Sequence, residues 1–208
     1  WYGLREQFHI DIQAQTWHWH RPESRHDDLP LPSLPGPHQL NNAAGVLMVL
    51  DCLRGRLPVS TPAIRSGLAD ITLPGRCQVI PGPVELVLDV SHNPHGAAAL
   101  AGMLAARNRP GRTHVVLGML QDKDASGMIA ALQPVADQWY LASLDAEQGL
   151  AAEHLQAHMK QHSASVPAEC FADVAGAMRQ AFANADAGDR VVVCGSFHTV
   201  ADAMACRV

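Results

Sequence analysis

Three short segments bring carboxylate, imidazole, hydroxyl and amide groups together with glycine or proline. They are Asp89-Val90-Ser91-His92-Asn93-Pro94-His95, Gly118-Met119-Leu120-Gln121-Asp122-Lys123-Asp124 and Gly195-Ser196-Phe197-His198-Thr199. Each follows a short apolar run. Where such a run leads into a helix, the free N–H groups of the first turn favour anions, so the chemistry on offer is binding and orienting charged groups. His92 adds an imidazole, which can donate or accept a hydrogen bond. Each segment also has a plain structural explanation: Asp89 can close a turn, Asn93-Pro94 suits the start of a helix, and Ser196 can be an N-cap. The joint placement of all three is more informative than any one of them.

The runs that must position these segments are Val84–Val90, His114–Leu117, Trp139–Ala142 and Val191–Cys194, each β-rich and short enough to be a buried strand. Helical spacing lies between them, clearest at Ala97, Leu100, Ala101 and Leu104 behind Pro94, and at Val174, Ala177, Met178, Ala181 and Ala185 behind the candidate N-cap Asp173. This alternation predicts an α/β fold with a mostly parallel sheet and helices on both faces. Ligands of such sheets bind beyond the carboxyl ends of the strands, so the three segments are expected to converge on one crevice.

The first third of the chain reads differently. Residues 1–20 suit one or two strands, and 21–37 form a Pro-rich extended stretch. A helix is expected over Gln39–Leu53, with Leu40, Ala43, Ala44, Leu47 and Leu50 on one face and Val46, Val49 and Leu53 on another, hence buried on more than one side. Pro62 opens a shorter helix through Leu68, and Leu73-Pro74-Gly75-Arg76 makes a turn.

With 208 residues, 48% apolar and 17% charged, the chain can bury a substantial core, and one full domain plus part of another fits its length. A net charge of −5 without a run of one sign argues against nucleic acid or an anionic membrane as partner. The five cysteines are scattered with no C-x-x-C pair, which suits reduced thiols in a cytoplasmic protein. No apolar stretch has the length of a membrane span, no signal-peptide pattern opens the chain, and a start at Trp1 in strand-like sequence suits an edge cut from a larger protein. Neither G-x-G nor a Gly-Lys pair occurs, so a dinucleotide-dependent oxidoreductase loses weight and a domain that completes a site built elsewhere gains it.

The series His38-Gln39-Leu40-Asn41-Asn42-Ala43-Ala44, Leu73-Pro74-Gly75-Arg76, Asp89 through His95, Gly118 through Asp124 and Gly195-Ser196-Phe197-His198-Thr199-Val200 resembles the folylpolyglutamate synthases. The likeness is strongest to the bacterial bifunctional dihydrofolate synthase type within the Mur ligase superfamily. The resemblance implies that residues 1–72 are the tail of a central ATPase domain and 73–208 a Rossmann-like carboxy-terminal domain. It implies activation of a pteroate or folate carboxylate by ATP to an acyl phosphate, then attack by the amine of L-glutamate. Asn42, Arg76 and Asp89 are implied to contact ATP. His92 is implied at the reacting centre and on the glutamate side, with Ser196 also on the glutamate side. The phosphate loop and the Mg2+ ligands are expected upstream, no metal ligand is expected in this chain, and the enzyme is expected to be a monomer. Ser91 stands where many relatives carry alanine.

Two features stand outside that reading. Trp17-His18-Trp19-His20 puts two histidines on one strand face, for which an exposed amphipathic face is a better explanation than a metal site. Lys123 suits a phosphate contact and a solvated loop lysine equally, and is not included among the site residues. The competing functional readings are a non-catalytic nucleotide-binding module of the same fold and another Mur-type ligase, such as a peptidoglycan or cyanophycin enzyme.

Overall fold

The computed structural model describes residues 2–34, 36–107, 110–162 and 167–206. Trp1, Pro35 and the side chains of Pro37 and His38, which fall within the segments read above, lie outside the described residues. The chain divides into two compact units, Trp1–Leu73 and Pro74–Val208. Among the described residues no helix is long and apolar enough to cross a membrane.

The first unit is an antiparallel meander of β1 (His9–Ile12), β2 (Thr16–Arg21) and β3 (Ser24–Pro30), followed by α1 (Pro37–Leu53) and α2 (Thr61–Asp70). Period-two alternation turns Trp17 and Trp19 inward, where both are fully buried with Phe8 and Leu29 against Leu40, Ala44, Leu47 and Met48 of α1. The third strand was hidden inside the stretch read as Pro-rich. Its charged residues Arg25, Asp27 and Asp28 face solvent, so it carries almost no apolar signal. The expectation that α1 is buried on more than one side fails within this unit: Val46 and Val49 are 57% and 56% exposed. The small sheet covers the Leu40, Ala44 and Leu47 face, while on the second face Leu53 is partly buried.

The second unit is a six-stranded sheet. Its strands are β4 (Gln78–Ile80), β5 (Glu85–Leu88), β6 (Thr113–Leu117), β7 (Gln138–Ala142), β8 (Ala168–Phe171) and β9 (Arg190–Cys194), in the order β4-β5-β9-β6-β7-β8. Only β4 runs antiparallel; the other pairings are parallel. The edge strands β4 and β8 are too short and too polar to announce themselves in the sequence. Central strands are buried on both faces. Val115, Leu117, Val192 and Cys194 meet α3 (Pro94–Ala106), α4 (Ala125–Leu132) and α5 (Ala152–His162) on one side. Val116, Val191 and Val193 meet α6 (Val174–Asn184) and α7 (Phe197–Ala205) on the other. Side-chain caps start the helices: Asn93 accepts from Gly96 N at 2.8 Å, Asp124 from Gly127 N at 2.8 Å and Asp173 from Gly176 N at 2.6 Å.

The opposite end of the sheet is pinned by buried polar groups. The His114 ring bridges Asp189 Oδ2 at 3.1 Å and the Tyr140 hydroxyl at 3.0 Å, and Asn184 donates to the same hydroxyl at 3.1 Å. A carboxylate only accepts, so Nε2 of His114 carries the proton toward Asp189.

Candidate active site

Because β9 threads between β5 and β6, the loops that follow these three strands lie side by side. Backbone bonds lock them together. Asp89 N donates to Val193 O at 3.0 Å, Gly195 N to Ser91 O at 2.9 Å, and Gly118 N to Cys194 O at 3.2 Å. Gly195 has φ 111°, and a Cβ there would collide with the Gly118 carbonyl, so the close approach of the two loops requires glycine.

The turn before β4 joins this assembly. Gly75, at φ 69°, accepts from Val90 N at 2.7 Å, and a Cβ on it would come within 2.9 Å of both Val90 and Val200. Cys77 has φ 45°, an uncommon conformation for a residue with a side chain. Asp89, 4% exposed, holds it there: Oδ2 accepts from Cys77 N at 2.8 Å and from Cys77 Sγ at 3.2 Å. Its Oδ1 accepts from Ser91 N at 2.9 Å and from the Ser91 hydroxyl. All four acceptor sites of the carboxylate are therefore directed at the chain itself. Burial, then the nearby Asp89 charge, pushes the Cys77 thiol up to about 12.

Between these anchors Arg76 is exposed, and its guanidinium lies 5.7 Å from the centroid of the Phe197 ring. Arg76 makes no ion pair among the described residues. His92 is half-buried, with its ring 6.1 Å from that of Phe197. Its Nδ1 lies 3.0 Å from the Val90 carbonyl, which can only accept, so in the neutral ring Nε2 is left as the free acceptor. In the loop after β6, Lys123 pairs with Asp122 at 2.7 Å. That hydrogen bond, with a smaller attraction from His92, holds the Asp122 carboxyl below its usual range.

Ser196 has an inward task. Thr199 Oγ1 donates to Gly118 O at 2.7 Å, so the Ser196 hydroxyl donates to Thr199 Oγ1 at 2.7 Å while accepting from Thr199 N at 2.9 Å. It is the N-cap of α7 and is buried. What this corner offers a ligand is the free N–H groups of the helix start rather than the hydroxyl. Asn42 belongs to the first unit, on an exposed part of α1, where its amide donates to Gln39 at 3.1 Å.

Arg76, Asp89, His92 and Ser196 thus gather at one end of the second unit. Phe197, Thr199 and Cys77 were not singled out from the sequence. Phe197 left a usable signal, since it falls out of phase with the inward positions Thr199, Val200 and Ala203 of its helix. Cys77 left none, because only the fold gives it a left-handed backbone.

In the first unit, His18 and His20 do meet carboxylates, Asp27 at 2.9 Å and Asp11 at 3.1 Å, contributed by the neighbouring strands. Among the described residues no three His, Cys, Asp or Glu converge as metal ligands.

Residues 75–197 match the Mur ligase, glutamate ligase domain. The chain belongs to the Mur ligase family. This Mur ligase chain is 39% identical over 198 residues to the Escherichia coli (strain K12) dihydrofolate synthase/folylpolyglutamate synthase, across 95% of its own length and 44% of that protein. It is also similar to the solved E. coli FolC in complex with DHPP and ADP, with TM-score 0.84 and 39% identity over 97% of this chain and 46% of that one. A bifunctional folylpolyglutamate synthase/dihydrofolate synthase solved with Mn, AMPPNP and L-glutamate bound gives TM-score 0.84 and 42% identity, over 98% of this chain and 47% of that one. The chain spans about half the length of the relatives it matches.

Proposed function

We propose that this chain is the carboxy-terminal half of an ATP-dependent ligase that adds L-glutamate to dihydropteroate, to reduced folylpolyglutamates, or to both. In the reaction a carboxylate oxygen of the pterin substrate attacks the γ-phosphorus of ATP and ADP leaves. The glutamate nitrogen then attacks the acyl phosphate carbon, losing a proton as inorganic phosphate departs. The observation that carries this reading is the gathering of Arg76, His92 and the α7 amino terminus at the carboxyl ends of adjacent strands, inside the segment that matches a glutamate ligase domain.

Arg76, exposed and without a carboxylate partner among the described residues, suits polyphosphate charge. Asp89 fixes the turn that presents Arg76, and a ribose hydroxyl reaching it would have to share an oxygen with Cys77 or Ser91. Asn42, exposed on α1, offers an amide suited to a polar contact with ATP. His92, with Nε2 as acceptor, suits a hydrogen bond to the glutamate ammonium or removal of its proton, while the first N–H groups of α7, led by the Ser196 cap, favour a glutamate carboxylate. Among the described residues no three His, Cys, Asp or Glu converge to hold a magnesium ion, Asp89 is committed to the turn, and Asp122 pairs with Lys123. In this reading the Mg2+ ligands and the phosphate loop precede the chain, and the enzyme is cytoplasmic and monomeric.

The test is glutamate-dependent ADP release by the intact ligase, with dihydropteroate and with a reduced folate as alternative acceptors. Turnover is expected with at least one of them. Arg76→Ala is expected to raise the KM for ATP about tenfold without lowering thermal stability, and the 208-residue chain alone is expected to release no ADP. Absence of glutamate-dependent turnover in the intact protein with either acceptor would overturn the reading.

A further inference from the structure

The Phe197 ring is 58% exposed at the first position of α7, directly after the Ser196 cap, while the helix buries Thr199, Val200 and Ala203. A phenyl ring left in solvent gains nothing from core packing. Two site residues carried by different loops lie against it: the Arg76 guanidinium 5.7 Å from its centroid and the His92 ring 6.1 Å away, tilted by 41°.

Arg76 has a long stem with several rotatable bonds, sits on a turn, and has no ion pair among the described residues. Its position is therefore set by the ring it stands over, through attraction between the cation and the negative face of the π system. The backbone that carries the ring is held from three directions. Ser196 caps the helix through Thr199, Thr199 is tied to Gly118, and Gly195 is tied to Ser91. A rigid loop thus lends its order to a flexible cation on another loop.

Resting on the reading above, in which Arg76 meets the phosphates of ATP, we infer that Phe197 is a positioning residue: its aromatic face holds the Arg76 guanidinium in the crevice beside His92. An aromatic face is required, and apolar bulk alone does not suffice.

The test is a double-mutant cycle in the intact ligase, with KM for ATP, KM for glutamate and kcat measured for Phe197→Leu, Phe197→Tyr, Arg76→Ala and the double variant Phe197→Leu/Arg76→Ala. Phe197→Leu keeps apolar volume and removes the ring. It is expected to raise the KM for ATP about three- to tenfold with an unchanged melting temperature, whereas Phe197→Tyr keeps wild-type values. In the Arg76→Ala background, Phe197→Leu is expected to have no further effect, because the partner it positions is already gone. Equal behaviour of the Leu and Tyr variants, or a full Phe197→Leu effect persisting without Arg76, would overturn the inference while leaving the ligase reading intact. A wild-type KM for ATP in Arg76→Ala would remove the phosphate role of Arg76 and the inference with it.

Discussion

Cys77 and Asp89 are joined twice: the backbone N–H and the thiol of Cys77 both donate to Oδ2 of Asp89, at 2.8 and 3.2 Å. The carboxylate stabilises a left-handed residue one position after Arg76, so the direction of that arginine depends on a bond between the end of one strand and the start of another.

The first prediction concerns thiol reactivity. Burial and the Asp89 charge push Cys77 up to about 12, so at pH 8 it is almost wholly protonated and enclosed, whereas Cys52 is exposed. Iodoacetamide on the folded protein is expected to label Cys52 and to spare Cys77 and Cys194, as read by peptide mass spectrometry. In Asp89→Ala, Cys77 is expected to become labelled, and the fold to lose about 1–3 kcal/mol in urea denaturation. Prompt labelling of Cys77 in the unaltered protein would contradict the geometry.

His92 carries the second. With Nδ1 committed to Val90 O, the group that can act is Nε2. His92→Ala and His92→Gln are both expected to lower kcat about tenfold or more, or to raise the KM for glutamate by as much, with the KM for ATP within about twofold of wild type. Near-normal turnover and glutamate dependence in both variants would reduce His92 to a turn-forming residue.

Ser196 allows its inward task to be separated from a ligand's contact. Ser196→Ala removes a cap whose oxygen serves Thr199 twice, and is expected to destabilise the protein by about 1–2 kcal/mol in chemical denaturation. Ser196→Asp restores an acceptor at the cap, and is expected to recover stability while weakening glutamate binding by placing a negative charge at the helix start. A Ser196→Ala variant of full stability with a strongly raised KM for glutamate would instead make the hydroxyl a direct ligand.

The fourth prediction concerns acid. Burial of Asp189 would raise its carboxyl, but the N–H groups of Asp186 and Arg112 and the His114 ring outweigh burial and hold it below the usual carboxylate range. A depressed folded value means stability that is present above the unfolded value near 4 and is lost as pH falls through the folded value. Urea midpoints of the unaltered protein are expected to fall below about pH 4, and Asp189→Asn is expected to be less stable at neutral pH with a flatter acid limb. An unchanged acid limb in Asp189→Asn would assign the acid loss to other carboxylates.

The sequence by itself determined the parts that rest on local periodicity. Four apolar runs became β5, β6, β7 and β9, because strands buried on both faces must be apolar throughout. Asn93 and Asp173 became caps because their side chains reach only the first turn of their own helices. Alternation of strand and helix then implied a parallel sheet and, with it, the end at which polar loops meet. Tertiary structure decided what depends on partners distant in sequence. It placed β9 between β5 and β6, turned the Ser196 hydroxyl inward to Thr199, spent the oxygens of Asp89 on Cys77 and Ser91, and left Val46 and Val49 uncovered in their unit. A residue type states which bonds a side chain can make. Which of them it does make is fixed by the groups that folding brings within about 3 Å, and these lie elsewhere in the chain.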